Sequence, residues 1–177
     1  VCEANRRVVG NACTACPDGT TNEAGDEASG ADTACDAVLC AANEHVSNHE
    51  CVACAAGTTK PAGDDASGSD TVCITTYCGV NERVSVNACV ACAAGKTNAA
   101  GDDASGSDTS CDATICGVGH HVVGNACVQC PAGTTNAAGG HDASGSDTAC
   151  DVTVCDANRH VVANQCEVCA AGTTNAA

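Results

Sequence analysis

CAANEHVSNHECVACAAGTTKPAGDDASGSDTVC, residues 40–73, carries Cys40, Cys51, Cys54 and Cys73, separated by ten, two and eighteen residues, and four residues later Cys78 starts the pattern again. Cys2, Cys40, Cys78 and Cys116 are spaced by 38 residues and Cys155 follows 39 later, which is the signature of a tandem array. The repeats run over 2–39, 40–77, 78–115 and 116–154, and a shorter fifth covers 155–177. The fourth is one residue longer because GGHD at 139–142 replaces the GDD of its neighbours, an insertion that belongs in a loop. The closing GTTNAA falls where every other repeat goes on into an acidic loop, so the array is expected to continue within a longer precursor that also carries the leader.

Little else in the composition could hold such a chain together. Val, Ile and Leu supply 23 of the 177 residues, Phe, Trp and Met are absent, and Tyr77 is the single aromatic side chain. With a net charge of −16, that composition alone reads as disorder. Nineteen cysteines reverse the reading, because such a density marks a disulfide scaffold and an oxidising location, extracellular or at the cell surface. Six Lys plus Arg against 22 Asp plus Glu argue against nucleic acid and anionic lipid as partners. No apolar run approaches the ~20 residues of a membrane span. No Ser, His and Asp set is positioned by a foreseeable core, so the chain is not expected to be an enzyme.

Each repeat divides into two halves. In the first, a buried-type Val (Val8, Val46, Val84, Val122, Val161) follows a polar pair and precedes a turn-prone dipeptide such as Gly10-Asn11 or Gly124-Asn125, which predicts a β-hairpin. The second half is rich in Gly, Asp, Ser and Thr with neither a 3.6-residue nor a two-residue apolar period, which predicts a long structured loop and almost no helix. The expected fold class is therefore small disulfide-rich repeats, an elongated solenoid or rod of short β-hairpins and structured loops.

One CxxC per repeat raises zinc and thiol redox chemistry, but zinc sites supply two paired knuckles, and a redox CxxC opens a helix in a βαβ setting. Structural bridges are the better reading, using Cys2, Cys13, Cys16 and Cys35; Cys40, Cys51, Cys54 and Cys73; Cys78, Cys89, Cys92 and Cys111; Cys116, Cys127, Cys130 and Cys150; and Cys155 with Cys166, while Cys169 lacks its fourth member. Four cysteines allow three connectivities, and spacing does not choose among them.

The loops gather Asp26, Glu27 and Asp32, then Asp64, Asp65 and Asp70, then Asp102, Asp103 and Asp108, then Asp142 and Asp147, with Ser29, Ser67, Ser105 and Ser144 alongside. Clustered hard oxygens on a Gly-flanked loop are calcium chemistry, the one cofactor the sequence suggests, and their spacing is not that of an EF-hand. The other reading is that Asp and Ser hold Asx and Ser/Thr turns. His45, His121 and His160 share a column with Arg7 and Arg83, which makes it basic rather than metal-binding and suited to weak pairing with an acidic loop. Gly95-Lys96-Thr97 is not a P-loop, because Val90 stands where a glycine is needed. Asn-x-Ser/Thr sequons are absent, and Thr pairs such as Thr20-Thr21 would accept O-linked sugar.

The run CxxCxxGT followed by DTxC, as in CTACPDGTTN to SGADTAC and CVQCPAGTTN to SGSDTAC, resembles the second half of the cysteine-rich repeats of tumour necrosis factor receptors and is similar to the CPAGT motifs of ephrin-receptor-type modules. Those receptor repeats usually carry six cysteines and an aromatic after GT. Removing one crossed pair from the six implies bonding of first to second and third to fourth cysteine, Cys2 with Cys13 and Cys16 with Cys35. The low aromatic content and near-identity of the repeats resemble large surface proteins of protists and algae. Two functions are in play: a structural segment of a long disulfide-laddered filament, stalk or coat whose partners are further copies of the same repeat, and a receptor or adhesion ectodomain that binds a protein ligand. Receptors need differentiated hot spots, and these repeats barely differ.

Overall fold

The computed structural model describes residues 1–137 and 140–176; Gly139 of the fourth-repeat insertion and the terminal Ala177 lie outside the described residues. Among the described residues there is no helix, and the strands pair in twos. Each repeat opens with a hairpin of four-residue strands: Arg6–Val9 with Ala12–Ala15, Glu44–Ser47 with Glu50–Ala53, Glu82–Ser85 with Ala88–Ala91, His120–Val123 with Ala126–Gln129, and Arg159–Val162 with Gln165–Val168. In four of them the register sets Val8, Val46, Val122 and Val161 opposite Cys13, Cys51, Cys127 and Cys166. Two-residue loops join the strands with both residues at positive φ, as in Gly10 (57°) and Asn11 (63°), the mirror-image turn that matches strand twist. A shorter pair closes the second half: Thr20–Thr21 with Asp36–Ala37, Thr58–Thr59 with Ile74–Thr75, Lys96–Thr97 with Asp112–Ala113, and Thr134–Thr135 with Asp151–Val152.

Nine disulfides join the first cysteine to the second and the third to the fourth: Cys2–Cys13, Cys16–Cys35, Cys40–Cys51, Cys54–Cys73, Cys78–Cys89, Cys92–Cys111, Cys116–Cys127, Cys130–Cys150 and Cys155–Cys166. Cys169 carries a free thiol. The core of a repeat is correspondingly small. In the second it consists of Cys40, Val46 and Ala66 with Cys51 packed against them, and the third and fourth repeat it with Cys78, Val84 and Ala104 and with Cys116, Val122 and Ala143. The hairpin valine is fully buried in the first four repeats, whereas Val161 is 64% exposed.

The chain divides into two compact bodies, Val1–Cys78 with Val84–Cys89 and Asp102–Asp108, and Gly79–Arg83 with Val90–Gly101 and Thr109–Ala177. Within the first body, the segment after Cys35 lies between two neighbours: the Val38 amide donates to the Gly19 carbonyl, and the Ala66 amide of the next repeat donates to the Val38 carbonyl. Leu39 and Asp65 extend this ladder as an antiparallel bridge. Thr76 makes the same two bonds with Gly57 and Ala104, and in the second body Thr114 makes them with Gly95 and Ala143. Gly19 has φ +74°, and a Cβ placed on it would lie 2.2 Å from the Ala66 carbonyl oxygen; Gly57 against Ala104 and Gly95 against Ala143 give the same distance. In the first three repeats the glycine of the GT motif is thus required twice, for its left-handed conformation and for backbone contact with the following repeat, whereas Gly133 faces the Asn164 side chain at 3.3 Å.

Gly57→Ala is expected to open the joint at a cost of about 1–3 kcal/mol, seen as faster hydrogen exchange of the Ala104 amide while the Cys40–Cys51 hairpin stays protected. Gly63→Ala is the control, since its φ of +112° meets open space and isolates backbone strain from collision. Equal behaviour of the two variants would remove the close approach as the cause. A second position carries strain of its own: Val86 sits at φ +52° in its turn and is 84% exposed, so its side chain contributes little burial. Val86→Gly should raise the stability of that hairpin by up to about 1 kcal/mol, measured by native-state hydrogen exchange, and a loss of stability would contradict this account.

Candidate functional site

The acidic loops are the most heavily functionalised part of each repeat, and their carboxylates go to three different places. The first is the hairpin turn, where Asp32, Asp70, Asp108 and Asp147 accept through Oδ1 from the amides of Gly10, Asn48, Val86 and Gly124 at 2.7–2.9 Å. The second is the following threonine. Thr33, Thr71 and Thr148 accept from the buried Val8, Val46 and Val122 amides through Oγ1 and return a bond from their own amides to the same valine carbonyls. The Thr33 and Thr71 hydroxyls donate onward to Asp26 and Asp64. The third is a tight turn in which Asp65, Asp103 and Asp142 accept from both the amide and the hydroxyl of Ser67, Ser105 and Ser144. The DT of DTxC therefore stitches loop to hairpin, and the Asp-Ala-Ser element shapes the tip that enters the joint.

Asp102 is also partnered, while Glu27 takes the Asp65 position in the first repeat without the serine-bonded turn. Among the described residues, the sets of three or more His, Cys, Asp or Glu close enough to share an ion are His45 with Cys54 and Cys73, and His121 with Cys130 and Cys150. No acidic trio is among them, so the carboxylates singled out from the sequence are distributed rather than gathered.

Those two histidine sets escaped the sequence reading. His45 Nδ1 lies 3.5 Å from Cys73 Sγ and His121 Nδ1 lies 3.1 Å from Cys150 Sγ. Both cysteines are bridged, which leaves no thiolate to ligate a metal. The column alignment with Arg7 and Arg83 showed only its charge; that it lies over the second disulfide follows from how the loop folds back on the hairpin. None of the protein-family models, curated proteins or solved structures compared with the chain matches it. No helix among the described residues is long and apolar enough to cross a membrane.

Hydrogen bonding fixes the electrostatics of the clamp. The Asp26 carboxyl is held below its ordinary range first by the Thr33 hydroxyl and then by Asn22. Asp64 is lowered chiefly by Thr71, with smaller help from Lys60, whose Nζ is 3.2 Å away, and from the charge of His45. Asp65 and Asp142 are lowered by the hydroxyls and amides of Ser67 and Ser144. Because these carboxyls are more acidic folded than unfolded, their contribution is complete above the unfolded value near 4 and is lost as pH falls through the lower folded values. The Val46 amide should therefore keep its exchange protection at pH 5 and lose it progressively below about pH 4, while the disulfides hold the repeat together. Asp64→Asn is expected to expose that amide at pH 7 in the presence or absence of calcium. If millimolar calcium instead protects the unmodified chain, and Asp64→Asn with Asp70→Asn abolishes the effect, the loop is an ion site.

Proposed function

We propose that this chain is a structural segment of a long extracellular filament, stalk or surface coat, laddered by disulfides, that assembles with further copies of its own repeat and has no catalytic role. The observation that carries this reading is the joint: Gly19 on Ala66, Gly57 on Ala104 and Gly95 on Ala143 are one backbone contact used three times. Repeats that meet through an unchanged contact can be added one after another, so the same joint would serve a longer array. The few large apolar residues support it as well. Leu39, Tyr77, Ile115 and Val154 each precede the first cysteine of the following repeat and are 63%, 64%, 52% and 77% exposed. These include the chain's one Leu, its one Tyr and one of its two Ile, and surface apolar groups recurring at one position suit contact between neighbouring copies. Nine bridges fit an oxidising location, and the acidic surface keeps unassembled chains soluble.

Electron microscopy of native material should show uniform fibres whose axial period matches the repeat; dispersed compact particles would end the structural reading. In sedimentation experiments on the full chain, Leu39→Ser with Tyr77→Ser should weaken self-association at least tenfold while leaving the disulfide map unchanged. Undiminished association would remove that column from the contact.

A further inference from the structure

Repeat 3 departs from its neighbours where the array is otherwise nearly uniform. Lys96 stands where the other repeats have Thr20, Thr58, Thr134 and Thr173, and Ser110 stands where they have Ala34, Val72 and Ala149. Thirty-eight residues of near-identical pattern give no reason for these two exchanges to be neighbours, yet both exposed residues line a single open pocket of about 300 Å³ together with Arg83, Ala93, Thr109 and Cys111. All of these residues belong to the second compact body. The Cys92–Cys111 bridge anchors one wall, and the Lys96 amide is tied to the Ala93 carbonyl at 3.1 Å, so the lining backbone is fixed before any ligand arrives.

The charges are otherwise unused. Of the other four Lys and Arg, Lys60 pairs with Asp64 and donates to the Val72 carbonyl, Arg6 and Arg159 donate to the carbonyls of Cys13 and Cys166, and the Nε of Arg7 is buried without a partner. Among the described residues, the Arg83 and Lys96 side chains make no hydrogen bond or ion pair, and the cavity wall holds no carboxylate. Lys96 is felt by Asp142, but as the least of the causes that lower that carboxyl, which is bonded to Ser144. A planar guanidinium, an ammonium and a hydroxyl facing one space are the donor set for a tetrahedral oxyanion. The net charge of −16 on the whole chain repels an extended polyanion and leaves a single small group as the occupant.

We infer that the Arg83, Lys96 and Ser110 cavity of repeat 3 binds one tetrahedral oxyanion, a sulfate or phosphate, either as the free ion or as the monoester of a small sugar. Arg83 supplies the forked contact, Lys96 neutralises the second charge, and Ser110 donates its hydroxyl. This site makes repeat 3 a point of recognition within an otherwise uniform array.

The neighbours provide variants that are already known to fit the fold. Arg83→His, Lys96→Thr and Ser110→Ala each install the residue another repeat carries at that position, and a Thr at 96 has a ready acceptor in the Ala93 carbonyl, as Thr58 has in that of Ala55. Isothermal titration of the oxidised full chain with inorganic sulfate, inorganic phosphate and galactose 6-sulfate, at an ionic strength held constant with chloride, should give saturable binding at one site per chain. Arg83→His and Lys96→Thr should each weaken it about tenfold or more, and Ser110→Ala by less. Tighter binding of the sugar sulfate than of either ion assigns the ester as the ligand, and equal binding assigns the free ion. Absence of a saturable isotherm, affinities unchanged in all three variants, or equal competition by chloride would overturn the proposal. Self-association lost with Arg83→His in the absence of added oxyanion would also overturn it, since the cavity would then receive a carboxylate of a second copy.

Discussion

The bridge from the first to the second cysteine, as in Cys40–Cys51, fastens the start of a repeat to the far strand of its hairpin, and everything else in the repeat is built on the buried Cys40 and partly buried Cys51 it joins. One fully buried valine is worth about 1.5–3 kcal/mol, which cannot order a repeat of this length. A bridge that closes 11 residues and another that closes 19 each remove about 3 kcal/mol of unfolded-chain freedom. Within that frame a single apolar position suffices, because it marks the place where hairpin, loop and bridge meet: Val46 packs on Cys40, Cys51 and Ala66 while its backbone is bonded on both sides to Thr71.

The acidic composition then takes on a structural meaning. A loop without an apolar pattern needs another source of order, and here it comes from carboxylates that accept from turn amides, threonine hydroxyls and serine hydroxyls. An acceptor-only group at each of these points gives partners to backbone amides and hydroxyls in a loop that has no regular sheet to satisfy them. The same economy explains the joint. With so little side-chain volume available, repeats meet through main chain, a glycine face against an alanine carbonyl, and the contact can be reproduced at every boundary because it asks nothing of variable side chains.

Uniformity of the scaffold also makes deviations informative. Val86 in a left-handed turn, His49 where other repeats place Asn, and Lys96 with Ser110 on the Arg83 cavity are departures from a pattern the chain itself supplies. His49 keeps the role of its counterparts, since its Nδ1 meets the Ala66 carbonyl as Asn87 and Asn125 meet those of Ala104 and Ala143. Lys96 and Ser110 keep no such role, and that difference separates a tolerated exchange from one with a separate task.

Period, hairpin and helix-free loop were determined by the sequence itself. Cysteine spacing sets the repeat, the Val and turn dipeptides carry the two-residue alternation and left-handed φ that a short hairpin needs, and recurrent Gly and Asn exclude a helical stripe. Asp65 and Ser67 as a turn was also readable, because an Asx turn spans two residues and is local. Which cysteines pair, that Asp70 caps the turn at Asn48 22 residues away, that Gly57 meets Ala104 of the next repeat, and that His45 lies over a disulfide were decided by the tertiary structure. Each of these joins positions far apart in the chain, and their geometry depends on how the loop folds back over the hairpin, a property of the closed repeat that no local run of residues expresses.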